Sequence, residues 1–210
     1  GDADQGQPLF EDRGGAVSVM SKIEHLFARW QVRALLVFGQ RQRALLRLDD
    51  MLSVNAADAY ALATRAHVLA EQGDKAGALQ ALQRQVAAQP GAAPGWFNLG
   101  YLSEEMGELA QAETAFRRAL EIDPKLDRAW YGLALSLIRQ RRFDEAIAAL
   151  RKNTELQPMS PYGWYQLARV HVDRQDPDEA VKVIRHLKRF EPKVAAQLER
   201  ETGLSVAQSS

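Results

Sequence analysis

Alanine recurs on a strict 34-residue beat, at Ala44, Ala78, Ala112, Ala146 and Ala180. A small residue locked to one place in a period of this length marks a chain of stacked helical hairpins, because each unit is too small to bury its apolar face alone. Such a chain does its work on a surface and not in a catalytic pocket.

Proline closes successive units at Pro90, Pro124, Pro158 and Pro192. Between the first two of these, the unit Ala93 to Leu126 carries Trp96, Leu99, Gly100, Gly107, Ala112, Phe116, Ala119 and Pro124. The next two keep Trp130, Leu133, Ala134, Ala146, Leu150, Pro158 and Trp164, Leu167, Ala168, Ala180, Ile184, Pro192. Upstream, Ala59 to Ala92 holds Leu62, Ala66, Leu69, Gly73, Ala78, Leu82 and Pro90, with Arg65 where a leucine is expected. His25 to Asp58 holds Val32, Leu35, Gly39, Ala44, Leu48 and Met51 but has neither the Trp nor the final Pro, as befits a degenerate first repeat. Position by position, the pattern W-x2-L-G, A-x3-F and a late Pro resembles the tetratricopeptide repeat (TPR).

The spacing has a packing reason. In each first helix, residues four, seven, eight and eleven places into the unit share one face, which they fill with apolar side chains. A glycine or alanine at the eighth place lets the second helix approach, and the beat alanine is expected to meet it there. A larger side chain at Ala112 or Ala146 would overpack the joint at a cost of about 1 to 3 kcal/mol. Asp176, Pro177 and Glu179 read as N-cap, first-turn proline and capping-box partner of a second helix, and Ser160 with Pro161 as the same device on a first helix. Gly39, Gly73 and Gly107 fall where a hairpin turn needs a positive φ. Arg141 and Gln175 stand at that place in the later units, which predicts turns of another construction.

With 210 residues, 46% of them hydrophobic, the chain is long enough for one continuous core along a stack. The fold expected is all-α: a TPR-type right-handed superhelical solenoid of antiparallel helix pairs, about five repeats with a C-terminal cap. The segments are a disordered leader 1–19, a degenerate hairpin 20–58, four repeats (59–92, 93–126, 127–160, 161–194), a capping helix 195–204 within the apolar pattern Val194, Leu198 and Gly203, and a disordered tail 205–210.

Twenty-seven basic residues balance 27 acidic ones, so a phosphate backbone is not the expected partner. No apolar run is long enough to span a bilayer. Charge is unevenly laid out, however: Arg29, Arg33, Arg41, Arg43 and Arg47 run without an acid until Asp49, beside Trp30 and the apolar stretch Ala34 to Phe38. That stretch reads either as the solvated face of the first hairpin or as a contact for a membrane surface or an acidic partner. The early residues carry acids where a secretion signal has bases, which places the chain in the cytoplasm; a signal removed before Gly1 would place it in the periplasm, and Met20 offers an alternative native start.

His25, His67, His171 and His186 sit in different units, none with an i, i+4 partner, so no metal and no cofactor is expected. His171 reads as a packed, hydrogen-bonded core residue. The adjacent pairs Glu104/Glu105 and Asp49/Asp50 point to different sides of a helix, and nothing assigns acid, base or nucleophile roles.

The resemblance implies a binding face. In TPR proteins the first helices line the concave side, and residues two, five, nine, twelve and thirteen of each unit face a bound segment. Here that implies a groove with Phe97, Tyr101 and Glu104 from the third unit and Arg128, Tyr131, Leu135 and Arg139 from the fourth. Tyr162, Tyr165 and Arg169 come from the fifth and His67 from the second. Aromatics with neighbouring arginines are the residue types that dominate binding hot spots. The fifth places, Arg29, Ala63, Phe97, Tyr131 and Tyr165, do not match the clamp of TPR cochaperones that hold a C-terminal carboxylate; Asn98 alone sits at one of its places. The function implied is a non-enzymatic adaptor that takes a peptide or helix of another protein in this groove. The alternatives are a self-associating scaffold or a peripheral membrane assembly factor using the basic first hairpin.

Overall fold

The computed structural model describes residues 13–206, with side chains from residue 21 onward. Helices account for all the regular structure among the described residues: α1 (Arg13–Val37), α2 (Arg41–Val54), α3 (Ala59–Glu71), α4 (Lys75–Ala88), α5 (Ala93–Glu105), α6 (Leu109–Ile122), α7 (Asp127–Arg139), α8 (Phe143–Leu156), α9 (Pro161–Asp173), α10 (Pro177–Lys188) and α11 (Pro192–Thr202). Each helix packs on the one before it, the hairpin partners from α3 to α10 most extensively, and α5 also touches α7 across α6. The stack is thus a solenoid of helix pairs closed by α11, which lies against α9 and α10.

All five beat alanines are fully buried. At Gly100 and Gly132 the nearest side chain is an aromatic ring. A Cβ on Gly100 would come within 2.8 Å of the Phe116 ring, and a Cβ on Gly132 within 2.5 Å. Phe116 is therefore a wedge between α5 and α7, and the two glycines make room for it; elsewhere the wedge is Leu82, Leu150 or Ile184 and alanine suffices at the eighth place.

The tryptophans do more than fill the core face. Trp96, Trp130 and Trp164 are half-buried, and their Nε1 groups donate to the carbonyls of Pro90, Pro124 and Pro158, each at 2.9 Å. Each bond ties the loop between two units to the helix that follows. Where Arg65 replaces leucine, its guanidinium reaches Asp49 on α2 at 2.9 Å.

Several local expectations change. Arg141 and Gln175 adopt φ of 59° and 64°, so their turns are built like those at Gly39, Gly73 and Gly107. The same pair of hydrogen bonds closes the glycine and non-glycine turns: Gly107 and Glu108 donate to Glu104 and Ser103, as Arg141 and Arg142 donate to Ile138 and Leu137. Those bonds hold an L side chain in a conformation that costs it about 1 to 2 kcal/mol. Asp176 caps α10 by accepting from the Glu179 backbone, but the Glu179 carboxylate turns to Lys182, and the Ser160 hydroxyl makes no cap bond. His171 is buried, yet its Nδ1 has no hydrogen-bond partner. The leader expected to be disordered is helical from Arg13, and the remainder of it lies outside the described residues. At the other end Val206 is buried and its amide donates to Glu199, so the chain is held past Ser205; 207–210 lie outside the described residues.

Candidate functional site

The implied groove residues are carried by the first helices α3, α5, α7 and α9. None of the tyrosines among them is buried: Tyr101 is 53% exposed and Tyr162 71%, while Phe97, Tyr131 and Tyr165 stand half-out with their inner edges on the core. Helical spacing explains this. Positions five and nine flank the buried stripe at four, eight and eleven, so a ring there rests one edge on the core and shows the other to solvent.

Three constellations emerge. Phe97 and Tyr101, one turn apart on α5, have ring centroids 6.4 Å apart, and the Arg128 guanidinium from α7 lies 5.1 Å from the Phe97 centroid. A cation over a ring face at this distance is attracted by the ring quadrupole, and Arg128 itself is exposed. Glu105 accepts from the Tyr101 hydroxyl at 3.3 Å, and its charge pushes the hydroxyl pKa up. Arg128 has no carboxylate partner among the described residues.

Next along the stack, Arg139 of α7 donates to the Glu104 carboxylate at 2.7 Å and to the Glu104 carbonyl at 2.8 Å. Both residues are implied to face a partner; in the free chain they meet each other and bridge α5 to α7. Leu135 lies half-buried on the same helix face.

At the far end, α11 enters the site. Glu201 accepts from the Tyr165 hydroxyl at 2.6 Å and from Arg169 at 3.0 Å. The hydrogen bond from Tyr165 holds the Glu201 carboxyl below its usual value, and the same bond pushes the Tyr165 hydroxyl up. The fifth unit thus already holds an acid. Sequence reasoning missed Glu201, since nothing in the 34-residue pattern fixes which side of a terminal helix turns inward.

His67, whose side chain is 70% exposed, lies 3.3 Å from Glu71 and does not reach the aromatic cluster directly. It lines, with Ala63, Ala70, Asn98, Tyr101 and Glu105, a notch of about 190 Å³ between α3 and α5. Tyr162 has no polar partner among the described residues and stands alone at the start of α9.

The family model for the tetratricopeptide repeat matches residues 64–127, 97–161 and 131–195, which together span more than half of the chain. No curated protein sequence matches. Among solved structures, a crystal structure of MamA superposes with a TM-score of 0.75 at 18% identity, covering 87% of this chain and 97% of that one. MamA 41-end from Desulfovibrio magneticus RS-1 gives 0.70 at 20% identity, over 85% and 96% of the two chains. YrrB, described as a TPR protein with an unusual peptide-binding site, gives 0.71 at 17% identity, over 80% and 88%. At these identities the likeness is one of fold.

Proposed function

The chain belongs to the tetratricopeptide repeat family, whose members serve as protein-interaction scaffolds, and from that premise we propose that it is a non-enzymatic adaptor holding a segment of another protein along its inner face. The observation that carries this reading is the cluster of half-exposed Phe97, exposed Tyr101 and Arg128, an arginine with no carboxylate partner among the described residues, with the half-exposed Tyr131 on the following first helix. Rigid aromatic surface costs little conformational entropy on binding, and an unpaired guanidinium selects an acid or a C=O group of the partner. The bound segment is a peptide or helix with an apolar anchor for the rings and an acidic residue near Arg128. A peptide-binding site on the similar YrrB fold supports the class of ligand and not its sequence.

The test is affinity purification with mass spectrometry from the native host, wild type against Tyr101→Ala/Tyr131→Ala and against Arg128→Glu. Partners are expected to be lost from both variants while helical circular dichroism is kept. Retention of every partner by both variants would refute groove binding.

A further inference from the structure

The first hairpin shows the opposite of a repeat's economy. At about 100° per residue, Ile23, Leu26, Phe27, Trp30 and Val37 form one stripe along α1, opposite the buried Ala28 and Val32. The stripe is open to solvent: Phe27 is 55% exposed and Trp30 64%, their rings stacked with centroids 6.0 Å apart. Leu46 of α2 is exposed beside them.

This ridge cannot seat another repeat in the way the units seat each other. The third place of a first helix meets the preceding second helix and is occupied by Ala61, Gly95, Ala129 and Gly163, all buried. A Cβ on Gly163 would lie 2.1 Å from Asn153 of the preceding helix. At that place α1 carries Phe27.

Cations flank the ridge on both sides. Arg33 lies on the α3 side, 6.0 Å from the Tyr60 ring, and Arg43 and Arg47 lie on the α2 side, where with Trp30 and Leu46 they line a shallow hollow of about 420 Å³ that also contains Asp50. From Lys22 to Leu48 there are six bases, Lys22, Arg29, Arg33, Arg41, Arg43 and Arg47, against the single acid Glu24. Arg41 is paired with Glu71 and Arg47 with Asp50, while Arg33 and Arg43 have no carboxylate partner among the described residues.

We propose that the α1–α2 hairpin docks the protein on an anionic phospholipid surface, with Phe27, Trp30 and Leu46 in the boundary between headgroups and acyl chains and Arg33 and Arg43 on lipid phosphates. A convex apolar ridge with a cation on each flank is the geometry of a helix lying in the membrane interface. Among the described residues no helix is long and apolar enough to cross a membrane, so the contact is peripheral. A second copy seated on the same face would set the two cationic flanks against each other. The chain's own Leu9 and Phe10 lie four and three residues before Arg13, a reach of at most roughly 14 Å at full extension, against roughly 25 Å along α1 from Arg13 to Trp30.

Cosedimentation of the full chain with phosphatidylglycerol-containing vesicles tests this. Binding is expected, falling at least about tenfold on pure phosphatidylcholine vesicles, in high salt, and in each of the variants Phe27→Ser/Trp30→Ser and Arg33→Glu/Arg43→Glu, with helical content unchanged. Tyr101→Ala/Tyr131→Ala should bind vesicles like wild type, so that failure of the ridge and failure of the groove are told apart. Absence of vesicle binding overturns the proposal. If Phe27→Ser/Trp30→Ser instead converts a multimer to a monomer in light scattering, the face is an interface between copies; if salt-sensitive capture of an acidic protein is all that is lost, the ridge belongs to that protein.

Discussion

The third to fifth units and the first hairpin share one plan and use tryptophan in opposite ways. Trp96, Trp130 and Trp164 stand four places into their units and clamp the preceding proline loop. Trp30 stands six places in, a shift of two residues and so of about 200° around the helix, and faces water. Ala44 is as fully buried as Ala112 or Ala146, so the beat alanine sits inside the joint in both regions, although α1 and α2 pack less extensively than the later pairs. What distinguishes them is the outward face. The later units offer theirs to a neighbouring helix and keep it small; α1 keeps its own large and apolar.

The heaviest test of that contrast is the Phe116 wedge. Phe116→Ala should cost about 3 to 5 kcal/mol in chemical denaturation, because the ring is fully buried between two helices. Gly132→Ala should cost about 1 to 3 kcal/mol in the wild type and much less in a Phe116→Leu background. Equal costs in the two backgrounds would mean that the ring is not what the glycine accommodates.

A second test uses pH. Burial is the main cause holding the His171 imidazole below its ordinary value, against the opposing pull of Asp176, the N-cap of α10, and Glu179 in its first turn, and helped by Arg151 and Arg174. Since the folded state resists the proton more than the unfolded one, stability from this group is whole above the ordinary histidine value of 6.5 and falls as pH drops below it. His171→Leu, which also removes the unpartnered Nδ1, should flatten the limb of the stability profile just below that value, as read by thermal unfolding at stepped pH. An unchanged limb would show that the His171 imidazole takes up its proton equally in the folded and the unfolded chain.

The smallest effect compares the two kinds of tryptophan directly. Trp130→Phe, which loses the bond to Pro124, should cost about 0.5 to 1.5 kcal/mol, whereas Trp30→Phe should stay within about 0.5 kcal/mol of wild type. A loss at Trp30 as large as that at Trp130 would mean that α1 buries its outer face within the free protein.

Much of the fold was legible because the repeat writes each contact several times. The 34-residue beat located the buried alanines, and the glycines at Gly39, Gly73 and Gly107 marked positive-φ turns. Arg141 and Gln175 misled because their conformation is imposed by two backbone hydrogen bonds that no side chain announces. The candidate groove residues were implied by their places in the unit, but their pairings were not: Arg139 with Glu104, and Tyr165 and Arg169 with Glu201, join residues 32 to 36 apart.

The sequence alone determined that paired helices stack and which of their faces close the joint, since period and side-chain size are properties of a string of residues. Only the tertiary structure decided which side chains meet across neighbouring units, that α11 brings Glu201 to Tyr165 and Arg169, and that α1 keeps an apolar ridge in solvent. Those outcomes depend on the angle and offset between successive hairpins, which place residues a full repeat apart within hydrogen-bonding distance and which no local pattern specifies.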